Sequence, residues 1–183
     1  MRRCIIFLTS LALSGCSLLG GSGKFYAWNY PAVIDSAGVV IQIGRILIAE
    51  QGAFDDELFE APYFQDKPVI SELIFVVKNN SAQSMNVYPD QGHVVVEGEQ
   101  INLFDLTLLG TGGDSLGGEI LPGVTKIGRL WFGLRRTALD DIKSMVIVIP
   151  GPHDNYFNTF GGDYRFQLDL SEHKSEPIPD ELK

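Results

Sequence analysis

The sequence predicts an all-β protein, an antiparallel two-sheet β-sandwich of about seven strands. Three observations predict it. Short apolar runs alternate between an inward and an outward face, as half-buried strands must. Gly, Pro, Asn and Ser clusters punctuate those runs at short intervals. No stretch carries the 3.6-residue periodicity of a long amphipathic helix.

Taken in order, Val39 to Ile48 is rich in β-branched residues and bounded by Ser36-Ala37-Gly38 and Gln51-Gly52. Ser71 to Lys78 puts Leu73, Phe75 and Val77 on one face, and Asn79-Asn80-Ser81 turns the chain. His93 to Glu97 and Gln100 to Leu109 read as a hairpin around Glu97-Gly98-Glu99. Ile127 to Arg135 groups Leu130, Phe132 and Leu134, and Lys143 to Ile149 is an apolar strand stopped by Pro150-Gly151-Pro152. Tyr164 to Leu170 alternates cleanly, with Tyr164, Phe166, Leu168 and Leu170 opposite Arg165, Gln167 and Asp169. Asp55 to Phe59 and Thr137 to Ile142 each read as a turn or two of helix within a loop. The polar stretch 171–183, with Pro177 and Pro179, reads as a disordered tail.

The N-terminus has a different logic. Met1-Arg2-Arg3 precedes an apolar stretch, Cys4 to Leu13, of about ten residues, half of what spans a bilayer. A basic head, a short apolar core and then small residues read as a secretory signal. Leu13-Ser14-Gly15-Cys16 resembles the bacterial lipobox. The resemblance implies cleavage after residue 15 and a diacylglyceryl group on the Cys16 sulfur. It also implies that Ser17, where an Asp would retain the protein at the inner membrane of a diderm cell, favours the outer one. Arg2-Arg3 raises a twin-Arg signal, but Cys4-Ile5-Ile6 does not extend it. Residues 16–24, with Gly20-Gly21-Ser22-Gly23, read as a lipidated flexible tether, leaving 25–170 for one sandwich domain. Cys4 leaves with the leader and Cys16 is committed to lipid, so the mature domain has no thiol for a disulfide, a metal or catalysis.

A net charge of −9 argues against nucleic acid and anionic headgroups as partners. No nucleotide- or cofactor-binding motif is present. Val76-Val77-Lys78-Asn79-Asn80-Ser81, Gly118-Glu119-Ile120-Leu121-Pro122-Gly123 and Gly128-Arg129-Leu130-Trp131-Phe132 resemble elements of the DUF4352-type immunoglobulin-like domains of bacterial lipoproteins. The resemblance spans Val39 to Leu170 and implies a sandwich with a binding role and no catalytic residues. The acidic, aromatic insertion Phe54 to Phe64 departs from that pattern.

Candidate sites divide into weak chemistry and a stronger surface. His93, His153 and His173 lack metal-ligand spacing, and surface or structural roles are expected. Gly110 to Leu116 fits a single calcium turn of a kind that works only in stacked copies, so a Gly-rich loop is expected. Asp55-Asp56-Glu57 with Glu60, and Asp140-Asp141, read as solvated acids, with calcium the best of the metal options. No serine has an activating partner in view, and no catalytic residue is assigned. Loop aromatics are the remaining signal: Phe25, Tyr26, Trp28 and Tyr30 after the tether, Phe54, Phe59, Tyr63 and Phe64 in the insertion, and Tyr156, Phe157 and Phe160 in the last long loop. They either plug the ends of the sandwich or form a contact surface. The last two groups are the candidate binding loops. The expectation is a non-catalytic module that binds another envelope protein. A carbohydrate or peptidoglycan module is the alternative, and a metal-assisted hydrolase using His93 and His153 a distant one.

Overall fold

In the computed structural model, residues 23–28, 32–53, 63–105, 115–173 and 176–177 are described. The leader, the lipobox, Phe54 and Phe59, the first expected helical turn and the Gly-rich stretch 110–114 lie outside them. The N-terminal half contributes β1 (Lys24–Trp28), β2 (Ala32–Ser36), β3 (Val39–Glu50), β4 (Val69–Asn79), β5 (Met85–Val87) and β6 (His93–Val96). It is followed by β7 (Glu99–Asn102), β8 (Gly118–Ile120), β9 (Thr125–Leu134), β10 (Ser144–Ile149), β11 (Tyr164–Asp169) and β12 (Glu176–Pro177).

These strands make an all-β sandwich, as the alternation predicts. One sheet runs β12-β1-β3-β4-β9, with β2 also paired to β3, and the other runs β11-β10-β6-β7. β5 and β8 form a short ribbon. All pairings are antiparallel. The facing layers bury Ile41, Ile43, Ile46, Ile48, Leu73, Phe75, Leu130 and Phe132 against Val94, Val96, Met145, Ile147, Phe166 and Leu168. The Tyr164 hydroxyl is buried and donates to the Val39 carbonyl at 2.9 Å, tying the two layers together. Burial pushes its pKa up.

A register shift between Ile43 and Arg45 sets what the outer face of the larger sheet looks like. One extra residue, Gly44, changes the parity of the strand, so Ile43 and Ile46 both face inward. Beyond it Leu47 and Ala49 face outward, and with Ile70 and Trp131 they found a second apolar cluster.

Tight turns follow their residues. Ala37-Gly38 joins β2 to β3 and Glu97-Gly98 joins β6 to β7, all four with positive φ (53°, 82°, 46°, 81°), the two-residue hairpin geometry. At Leu121-Pro122-Gly123-Val124 the Val124 N–H donates to the Leu121 carbonyl at 3.1 Å, with Gly123 at φ 77°.

Three expectations are corrected. Lys24 to Trp28 is a strand rather than tether and loop, and Tyr26 is buried in the main core. The strand expected over Gln100 to Leu109 ends at Asn102; Phe104 then crosses to the other sheet and exchanges two 2.8 Å hydrogen bonds with Trp131. In the tail, Glu176 and Pro177 pair with Phe25 and Lys24 rather than lacking order. The helical turn expected within Thr137 to Ile142 is present, as a 3₁₀ turn at Leu139–Asp141.

Candidate functional site

The domain has two distinct ends. The chain enters at Lys24, whose backbone N–H donates to the Glu50 carboxylate (3.1 Å) and whose ammonium meets Asp140 (2.7 Å). Arg135 to Thr137 and Lys143 share this proximal end. It is braced by two carboxylates of the β6–β7 hairpin: Glu97 accepts the Lys143 and Ser144 N–H groups, and Glu99 those of Arg135, Arg136 and Thr137. These donors hold Glu97 below its ordinary pKa; at Glu99 they outweigh an opposing effect of burial. A shallow depression between Glu50, Pro68 and Arg136 is also proximal.

The distal end is organised by Asn79. It is fully buried, and its amide donates to the Gln83 and Ile120 carbonyls at 2.7 and 2.8 Å. Its side-chain oxygen accepts the Ser81 N–H (2.9 Å) and hydroxyl (2.7 Å), and its carbonyl accepts the Gly123 N–H at 2.7 Å. The Asn-x-Ser motif therefore locks the β4–β5 turn to the Pro-Gly turn. Nearby, the Asn80 N–H donates to the Gly38 carbonyl and the Ser36 hydroxyl to the Gly162 carbonyl.

The β10–β11 loop joins this end through His153, which exchanges backbone hydrogen bonds of 2.8 and 3.0 Å with Asn86. Asp154 folds the loop tip around its carboxylate, accepting the N–H groups of Tyr156 (2.7 Å) and Asn158 (2.9 Å) and the Asn158 amide (2.8 Å). The Asn158 amide foremost, with those N–H groups, keeps Asp154 below the usual carboxylate range and hence ionised. The His153 ring stacks between Tyr88 (5.4 Å) and Phe157 (5.3 Å).

Phe157 sits at φ 64°, a left-handed conformation that is a genuine outlier for a bulky residue. Yet its ring is 79% exposed, and Tyr156 beside it 85%. The exposed large hydrophobics among the described residues are Val33, Leu121, Val124, Ile127, Tyr156, Phe157 and Phe160. All belong to the distal half. Val33 and Ile127 end one cross-strand row, Val33-Gln42-Val76-Ile127, on the outer face.

The expected binding loops thus part company. Tyr156, Phe157 and Phe160 are presented to solvent. Phe64 is completely buried against Leu47, Ala49, Ala53, Ile70 and Trp131, so it is a packing residue with nothing left to offer a partner. Tyr63 is half-buried, stacks on Phe104 (4.9 Å, 13°) and donates its hydroxyl to the Asn102 carbonyl. Leu121, Val124 and Ile127 were not singled out in sequence. For Ile127 a signal existed: it has the opposite parity to Leu130, Phe132 and Leu134, and so must face outward.

The weaker chemistry stays dispersed. Among the described residues no group of three His, Cys, Asp or Glu side chains is placed to hold a metal ion. His93 lies on β6, His153 in the distal stack and His173 beyond the proximal end of β11. Glu72 is buried beside Arg129 (3.1 Å); burial raises its pKa, with Arg129 and Arg45 opposing. Among the described residues no helix is long and apolar enough to cross a membrane.

The sandwich has counterparts among solved structures. A functionally unknown protein from Listeria monocytogenes superposes with a TM-score of 0.58 at 17% identity, over 84% of this chain and 89% of its own. A lipoprotein candidate from Bacillus subtilis, YcdA, superposes with a TM-score of 0.55 at 14% identity over 79% of this chain. This chain spans only 40% of YcdA's length. At these identities the likeness shows the fold. No protein-family model and no curated relative matches.

Proposed function

We propose that this protein is a lipid-anchored, non-catalytic binding module of the bacterial cell envelope, which engages another envelope protein through its distal end. The observation that carries the reading is the one-sided distribution of exposed apolar side chains. Every large one among the described residues lies away from the end at which the chain leaves the lipobox-like segment. A module tethered through Cys16 would hold that face toward the compartment it serves. The signal-like N-terminus and the fold shared with a lipoprotein candidate support the anchor. Ser17 favours the outer membrane if the host is diderm.

Protein is preferred to carbohydrate because aliphatic Leu121, Val124 and Ile127 are exposed on the same half of the domain as the aromatic loop, and such surface suits a protein contact better than a sugar ring. The polar groups around Tyr156 and Phe157 are moreover already engaged within the protein: Asp154 with Asn158 of the same loop, and Asn155 with Asn86 of β5.

Two measurements test the reading. Labelling cells with a palmitate analogue should mark the chain and fail to mark Cys16→Ala. Proteins crosslinked to the lipidated chain in its membrane should be lost when residues 155–158 are replaced by Gly and Ser, and kept in Arg136→Ala at the proximal end. An identical set of crosslinked proteins after the loop replacement would sink the binding role of the distal end.

A further inference from the structure

The geometry points to Phe157 and Tyr156 as a rigid, pre-formed plug that inserts into a concave apolar pocket, rimmed by Lys or Arg, on a partner protein. The inference rests on the binding role proposed above and adds the partner's shape and charge.

Shape comes first. Tyr156 and Phe157 sit at a loop tip and, at 85% and 79%, are the most exposed of the large hydrophobic residues described, with the Phe157 ring stacked on His153 alone among the described residues. A ring so exposed gains most contact area inside a concavity.

Rigidity comes next. Asp154 fixes the tip through the Tyr156 and Asn158 N–H groups, and the Phe157 N–H donates to the Asp154 carbonyl at 3.1 Å. Asn86 holds Asn155 at 2.7 Å, and His153 backs the Phe157 ring on one side only. The other side of the ring is free to make contact. The backbone at Phe157 would be relaxed as glycine, yet the position carries a large apolar ring in a strained conformation that contributes little to the fold. An anchor ordered before binding loses little conformational freedom on binding.

Charge selects among occupants. The distal end carries the carboxylates of Asp35, Glu119, Asp154 and Asp163, with Lys78 and Arg165 its exposed cations among the described residues. Glu119 lies opposite Asn86, itself bridged to His153, and Asp163 accepts the Gly151 N–H. Lys126 is engaged with the Gly117 carbonyl. At this end carboxylates outnumber the exposed cations, and on a chain of charge −9 that disfavours anionic headgroups and fits a basic rim.

The test places a photoreactive benzoylphenylalanine at position 156 of the full lipidated chain in native membranes. The expected result is one adduct with a different protein, its labelled residues lining an apolar pocket edged by Lys or Arg. The adduct should fall about tenfold in Phe157→Gly, as for an anchor residue, and decline as salt rises. Adducts with lipid, with glycan or with a second copy of this chain overturn the proposal, as does an absence of adduct. An adduct indifferent to Phe157→Gly, in a chain whose crosslinks still depend on residues 155–158, would remove the plug and leave the broader binding role standing.

Discussion

Two aromatic segments of this chain look alike in sequence and do opposite things. Residues 63–67 bring Tyr63 and Phe64 back toward β4, and residues 153–160 carry Tyr156, Phe157 and Phe160 between β10 and β11. The first closes over a sheet face that is apolar on its outside, because the shift at Gly44 turns Leu47 and Ala49 outward beside Ile70 and Trp131. That surface must be covered, and Phe64 covers it. The second runs past the sheet ends, where, among the described residues, the ring contacts are a stack of Tyr88, His153 and Phe157. Aromatic content alone does not distinguish a plug of the protein's own core from a ring left exposed to solvent. What distinguishes them is whether the adjoining strands leave an apolar face to cover.

The comparison is tested most severely at Phe64. Phe64→Ala should lower unfolding free energy by about 3–5 kcal/mol, the range for a buried aromatic that leaves a cavity. Denaturant titration measures it; a loss under about 1 kcal/mol would mean that the segment is peripheral after all. Distal crosslinking should survive wherever the variant is folded. Asn79→Ala comes next, at about 3 kcal/mol, because the Gln83 and Ile120 carbonyls would lose their donor, the latter within the buried interior. The expected loss is larger than for Asn80→Ala, since Asn80 is exposed.

Much of the architecture was legible because strand parity is a strong constraint. Tyr164 to Leu170 and Ser71 to Lys78 could face only one way, and the Pro122-Gly123 turn needed a residue tolerant of positive φ. The short strands were not legible. β5 and β8 are three residues each, too few to show a period, and β12 contains a proline. At the site, Tyr156 and Phe157 could be singled out by residue type. Phe64 could not be told from them, although Ile46-Leu47-Ile48-Ala49, apolar without alternation, marks a strand buried on both faces and so one that requires a cover. The role of Asp154 in shaping the tip depended on which backbone amides converge on it, and that is a property of the folded loop.

Smaller effects separate the proximal brace from the distal tip by pH. Glu97 and Glu99 both titrate below the ordinary 4.5 when folded. Their contribution to stability is therefore present above about pH 4.5 and is lost as pH falls through the lower folded-state values. Glu72 has the opposite sign: with its pKa raised, its contribution is full below 4.5 and declines as pH rises through its folded-state value. Glu97→Gln and Glu99→Gln should each cost about 1 kcal/mol or less near neutrality, since both carboxylates are solvent-screened. The difference from wild type should shrink in urea titrations below pH 4.5. A difference that grows on acidification would reverse the assignment.

The smallest expected effect on stability is the most informative. At Phe157, glycine removes a left-handed strain of about 1–2 kcal/mol while adding unfolded-state freedom of about 0.5–1 kcal/mol. Losing one exposed stacking contact with His153 costs about 0.5 kcal/mol, at the low end for such pairs. Together these predict Phe157→Gly within about 0.5 kcal/mol of wild type, against several for Phe64→Ala. Phe157→Ala keeps the strain and loses the ring, so it should be less stable than Phe157→Gly. An alanine variant at least as stable as the glycine one would show that the backbone there is unstrained, and with it would go the reason to regard Phe157 as held in place for a partner. If the order is as expected, a ring that the fold scarcely needs occupies a backbone position that disfavours it, which supports its proposed role as an anchor for a partner.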